Sequence, residues 1–171
     1  MATFGNTSTA TTSDNNIDDF KNGSRYTLSE DASISKLTAY LDNTGGVACH
    51  LRGVIYSDKA GPAPYQLLGT TNEVSIAAGA SVAWVDMSFA SSVVLSAGSY
   101  WLFVHISLDA DDTFAFRCDK TTGVGGYGAD TYSNGADAEF GSYTSQGWNY
   151  CIYATYSLPS DRSPLIQFGI C

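Results

Sequence analysis

One pattern occurs twice, 19 residues apart: Val74–Val85 aligns with Val93–Val104. Each copy is a β-branched or aromatic run, a glycine (Gly79 or Gly98), and a second such run. This spacing predicts strand, turn, strand, with both glycines in turn conformations that a β-carbon resists. Two such units in succession, with no helical periodicity around them, place the middle of the chain in an antiparallel β-sandwich. Neighbouring strand residues point to opposite faces, so the pattern also sorts the side chains. In residues 82–89, Ala83, Val85, Met87 and Phe89 face inward, while Trp84, Asp86 and Ser88 face outward. In residues 100–109, Tyr100, Leu102, Val104, Ile106 and Leu108 face inward. Their opposites are Trp101, Phe103, His105, Ser107 and Asp109, aromatic where water would be expected. Either a further layer covers that face or it is a contact surface.

The 171 residues suit one domain, and 44% hydrophobic with 15% charged residues is a globular balance. A net charge of −9 without a Lys/Arg cluster argues against nucleic acid as a partner. No apolar run approaches the ~20 residues of a bilayer span, and the N-terminus has neither the basic nor the apolar part of a signal peptide, so membrane insertion is not expected. The cysteines (Cys49, Cys118, Cys151 and Cys171) lack C-x-x-C spacing and have only His50 and His105 as companions, which argues against zinc. Cys118 and Cys151 lie in segments that could be neighbouring strands, allowing one disulfide; buried free thiols are the alternative.

In chain order, residues 1–25 read as a polar N-terminal arm anchored by Phe4, Ile17 and Phe20, residues 26–158 as the sandwich, and residues 159–171 as a C-terminal extension. Strands are expected at 26–29, 33–42, 47–57, 113–118 and 149–158. Residues 58–64 should form a loop that Pro62 and Pro64 keep out of any ladder. Residues 119–148 carry seven glycines, and a structureless stretch of that length in a compact domain implies a functional loop or a missed short strand.

Gly123-Val-Gly-Gly-Tyr-Gly128 matches a dinucleotide fingerprint by letter, but turn-forming residues follow where a helix is required. Asp109, Asp111 and Asp112 could gather hard oxygens around a structural calcium ion, although their spacing is not that of an EF-hand and turn aspartates are commonly just solvated. There is no nucleophile elbow and no H-E-x-x-H, so catalysis is not expected, and no cofactor is implied. Tyr and Trp offer flat apolar faces with a polar handle, suited to sugar rings and protein contacts. The candidate ligand-binding residues are therefore Tyr127, Tyr132, Tyr143 and Trp148, with Trp84 and Trp101; core packing under a long loop is an equal alternative for the loop aromatics. Phe4, Leu165, Ile166 and Phe168 are the candidate assembly residues, because an isolated sandwich would have to expose them.

Residues 53–58 (Gly-Val-Ile-Tyr-Ser-Asp), 84–89 (Trp-Val-Asp-Met-Ser-Phe), 97–102 (Ala-Gly-Ser-Tyr-Trp-Leu), 129–135 (Ala-Asp-Thr-Tyr-Ser-Asn-Gly) and 152–156 (Ile-Tyr-Ala-Thr-Tyr) resemble a family of jelly-roll modules. Such modules occur in extracellular bacterial proteins, often beside carbohydrate-active domains, and in phage structural proteins. The resemblance spans about residues 20–158. It implies a jelly roll without catalytic residues. Together with an initiating Met, no export signal and an apolar C-terminal extension, it leads to the expectation of a virion surface component, such as a capsid decoration or fibre protein. Its partners would be copies of itself or other virion or surface subunits, and surface glycans. The alternative is a carbohydrate-binding module of an extracellular enzyme or adhesin.

Overall fold

The computed structural model describes residues 1–15, 19–107, 114–120 and 123–159. Their strands are β1 (Ala2–Gly5), β2 (Ser13–Asp14), β3 (Phe20–Leu28), β4 (Ala32–Asn43), β5 (Cys49–Lys59), β6 (Ala63–Thr70) and β7 (Val74–Ile76). They continue with β8 (Ala80–Leu95), β9 (Gly98–Ile106), β10 (Phe114–Asp119), β11 (Gly125–Ala129), β12 (Thr144–Ser145), β13 (Asn149–Tyr150) and β14 (Ile152–Ser157), with one 3-10 turn at Tyr132–Asn134. Among the described residues no helix is long and apolar enough to cross a membrane.

All pairings within the two sheets are antiparallel. In the first sheet β4 is central, with β8 along one side and β14 followed by β1 along the other, while β10, β2 and β13 extend the sheet past the end of β4. The second runs β12, β11, β3, β9, β5, β6, with β7 also on β5. Their inner faces close on one apolar core. Ile34, Leu37, Ala39 and Leu41 come from β4, Met87 and Phe89 from β8, Ile152 and Ala154 from β14, and Leu51, Ile55, Leu102, Val104 and Ile106 from the facing sheet. The predicted inward sets on β8 and β9 thus supply the core, except that Ala83 is exposed and Leu108 lies outside the described residues.

Several expectations are corrected. Residues 1–25 are not a free arm: β1 and β2 pair within the first sheet, and β3 is an interior strand of the second that starts at Phe20. Phe4 is buried and meets Tyr156 edge-on at 6.3 Å, because β1 fills the edge of β14; its ring packs in the core of its own chain and is not left exposed as expected. Pro64 belongs to β6 opposite Asp58, acceptable because it lies at the start of an edge strand whose far side makes only a local bridge, further along at Gln66 and Glu139. Gly79 has the expected positive φ of 72°, whereas Gly98 has none and simply begins β9. Cys49, Cys118 and Cys151 are all buried, and Cys118 and Cys151 are free thiols. Burial pushes the Cys118 thiol up to about 12 and also raises that of Cys151, so both stay protonated and unreactive near neutral pH.

The glycine-rich stretch resolves the question of the aromatic outer face of β9. Gly125–Ala129 is a strand on β3, and the chain then folds back across the outer face of the second sheet. A β-carbon on Gly126 would lie 2.1 Å from the Thr144 carbonyl oxygen and 2.7 Å from the Tyr143 ring, and one on Gly128 would lie 2.5 Å from the Phe140 ring. The glycines are there because a covering layer presses on them. Under it Val54, Tyr56, Trp101, Phe103 and Phe140 form a second apolar core.

Candidate aromatic binding face

The register of the first sheet builds a small grid on its outer face. Tyr40 of β4 lies directly opposite Trp84 of β8, Thr38 lies between Asp86 and Tyr153, and Lys36 lies between Ser88 and Thr155. Leu37, Ala39 and their partners Met87, Val85, Ala154 and Ile152 point the other way, into the core. Strand alternation alone therefore puts Tyr40, Trp84 and Tyr153 together. Trp84 meets Tyr40 at 4.9 Å with the rings tilted by 37°, and Tyr153 at 5.2 Å near edge-on. All three are half-buried, so each keeps ring surface open to solvent.

Polar groups border the rings. Asp86 takes a 2.5 Å ion pair from Lys36 and a 2.7 Å hydrogen bond from the Thr38 hydroxyl. Partial burial would raise its carboxyl, but the Lys36 and Thr38 hydrogen bonds and the Lys36 charge outweigh that and bring it below the usual range. Asp86 therefore stays an ionised acceptor beside Trp84. On the β10 side, Arg117 pairs with Asp42. A cluster of three partly open rings edged by donors and acceptors can stack one of its faces on an apolar ring face while bonding hydroxyls at its rim.

The other sequence candidates do not join this face. Trp101 has no exposed surface: it stacks on Phe103 at 5.8 Å and donates its indole N–H to Asp58 at 2.8 Å, so it is a core residue. Tyr132 is buried too, donating to Glu73 at 2.9 Å and packing on His105. Tyr143 donates to the Gly125 carbonyl at 3.0 Å and sets its ring against Trp101, and Trp148 packs on the main core beneath Lys120. Tyr127, half-buried on β11, meets Phe20 edge-on. Packing, the alternative weighed for the loop aromatics, accounts for Tyr132, Tyr143 and Trp148. Asp109, Asp111 and Asp112, and likewise Leu165, Ile166 and Phe168, lie outside the described residues. Tyr40 and Tyr153 were missed, although the alternation that singled out Trp84 applies to them equally; what sequence could not supply was that β8, β4 and β14 are neighbours.

His105 shows how firmly the covering layer holds. Its Nε2 donates to the Asp130 carbonyl at 3.1 Å, and its Nδ1 is buried without a partner. Burial lowers its pKa, aided by the charges of Lys21 and Arg52 and only partly offset by Asp130. The folded state thus keeps His105 neutral, while an unfolded histidine takes up a proton near pH 6.5. The unfolded state then binds more protons, so stability should fall as pH drops below about 6.5 and be unaffected by this group above it. Denaturant midpoints between pH 7.5 and 5 would check this: His105→Gln should flatten the decline, and an unchanged slope would remove His105 as its source.

No protein-family model matches the chain, and a search of curated proteins returns no match.

Proposed function

We propose that this protein is a non-catalytic surface protein of the virion decoration or fibre kind, which holds surface glycans on the outer face of its first sheet. The observation that carries the reading is the open trio of Tyr40, Trp84 and Tyr153 beside the ionised Asp86. A pyranose face stacks on such rings, and its equatorial hydroxyls reach the exposed rim groups Asp86 and Lys36. A jelly-roll wrapping is supported by the path of the chain, which changes sheet from β2 to β3, β3 to β4, β4 to β5, β7 to β8, β8 to β9, β9 to β10, β10 to β11 and β12 to β13. The resemblance to phage and extracellular modules fits the same wrapping, and assembly with like subunits is assigned on composition to Leu165, Ile166 and Phe168. The same platform would serve a carbohydrate-binding module of an extracellular enzyme or adhesin, the second reading.

Affinity electrophoresis through gels containing neutral polysaccharides tests the binding claim. At least one polymer should retard the full chain, and Tyr153→Ala should migrate closer to its position in a polymer-free gel. Equal mobility in every gel would remove the glycan reading.

A further inference from the structure

Lys21, on β3, is buried with none of its surface exposed, and its amine lies 2.8 Å from Oδ2 of Asp130, a carboxylate with 1% side-chain exposure. The two are near neighbours across a strand pair, since Lys21 stands opposite Gly128, two residues before Asp130. Around the amine are the faces of Phe140 at 4.3 Å and Tyr56 at 5.0 Å, with the Tyr56 hydroxyl at 3.2 Å and the Phe140 carbonyl at 3.4 Å. Gly128 makes this enclosure possible, because a side chain there would occupy the place of the Phe140 ring. Asp130 is held as tightly: its N–H donates to the Asp19 carbonyl at 2.9 Å, its own carbonyl accepts from His105, and its Oδ2 accepts the Asp137 N–H at 3.1 Å.

A dry ion pair of this kind is an expensive way to join two strands, because desolvating both charges can exceed their attraction. An amide at the same place would carry no charge. Its one N–H would find the Phe140 carbonyl or the Tyr56 hydroxyl, both already within reach of Nζ. We propose that Lys21 and Asp130 condense to an intramolecular isopeptide bond that clamps β3 to the segment after β11.

The chemistry balances without any co-reactant. A proton passes from Nζ to Oδ2 across the existing contact, giving an amine and a carboxylic acid. Nζ attacks Cγ of Asp130, the bond from Cγ to the hydroxyl oxygen breaks, and that hydroxyl leaves as water with one proton from the nitrogen. The Tyr56 hydroxyl, already accepting from Nζ, is placed to relay that proton. A cleft of about 410 Å³, lined by Asp130 itself with Asp19, Thr131, Asn134 and Asp137 among others, gives the water an exit. Fixing both partners at contact distance in an apolar enclosure supplies the proximity that makes unaided condensation feasible. The bond goes beyond the glycan reading and does not depend on it.

Intact-mass spectrometry of the purified, folded full chain tests this directly. After allowance for initiator-methionine removal, the mass should fall short of the sequence mass by one water, and a protease digest should give the Lys21 and Asp130 peptides as one branched species. Lys21→Arg and Asp130→Ala should show full mass and linear peptides. Full mass in the folded wild-type chain would overturn the proposal, as would a water lost at any other residue or a loss that persists in either variant.

Discussion

Replacing Trp101 by alanine is expected to destabilise the protein by about 3–5 kcal/mol, the range for removing a large aromatic from a packed interior. The ring is fully buried between Phe103, stacked at 5.8 Å, and Tyr143, edge-on at 5.1 Å, so its loss opens a void that neighbours can only partly fill. The deletion also strands a polar partner. Asp58 accepts the Trp101 indole N–H at 2.8 Å through Oδ1, and without it relies on Arg25 alone, at 2.7 Å on Oδ2. Urea unfolding of wild type and Trp101→Ala measures the difference; a loss below about 1 kcal/mol would mean that the covering layer is not the packed second core described here.

Trp84→Ala should behave in the opposite way. Its ring contacts with Tyr40 and Tyr153 contribute to folding at about the level of exposed cross-strand aromatic pairs, 0.2–1 kcal/mol each, so the variant should unfold close to wild type. Binding should suffer far more. The ring is the middle member of the trio, touching both others, and central aromatics of that kind cost about 2 kcal/mol or more when truncated, roughly thirtyfold in affinity. Titration calorimetry against whichever polysaccharide retards the wild type would give the number. If affinity is unchanged while stability falls by several kcal/mol, the trio is a packing cluster and not a recognition surface.

These two tryptophans also show what could be read from the chain in advance. Alternation put Trp84 outward on β8 and Trp101 on the far side of β9 from the main core, and both placements hold. Alternation says nothing, however, about what lies above an outward residue. Whether Trp101 meets water depends on residues 125–148 folding back over β9, a contact between segments far apart in sequence, and the clue was hidden in composition. Gly125, Gly126 and Gly128 looked like a loop or a nucleotide fingerprint, but they are strand residues: Gly126 and Gly128 lack side chains where Tyr143 and Phe140 lie on them, and Gly125 where the Trp148 carbonyl and Ser24 press in. The first strands were lost for a related reason. Ala2–Gly5 and Phe20–Arg25 are too polar to announce burial, yet pairing to β14, β9 and β11 satisfies their backbone, and that energy is invisible in a hydropathy pattern. Lys21 is the extreme case: a lysine with none of its surface exposed, whose place is intelligible only once Asp130 and Phe140 are known to surround it.

On the proposed reading, recognition belongs to the outer face of the first sheet and the glycine-rich segment serves packing. Amide chemical-shift mapping during titration with a retarding oligosaccharide separates the two. Perturbations should gather at Lys36, Thr38, Tyr40, Trp84, Asp86 and Tyr153 and leave residues 125–148 nearly still. Perturbations centred on Tyr127, Tyr132, Tyr143 and Trp148, with the Trp84 face unmoved, would contradict it.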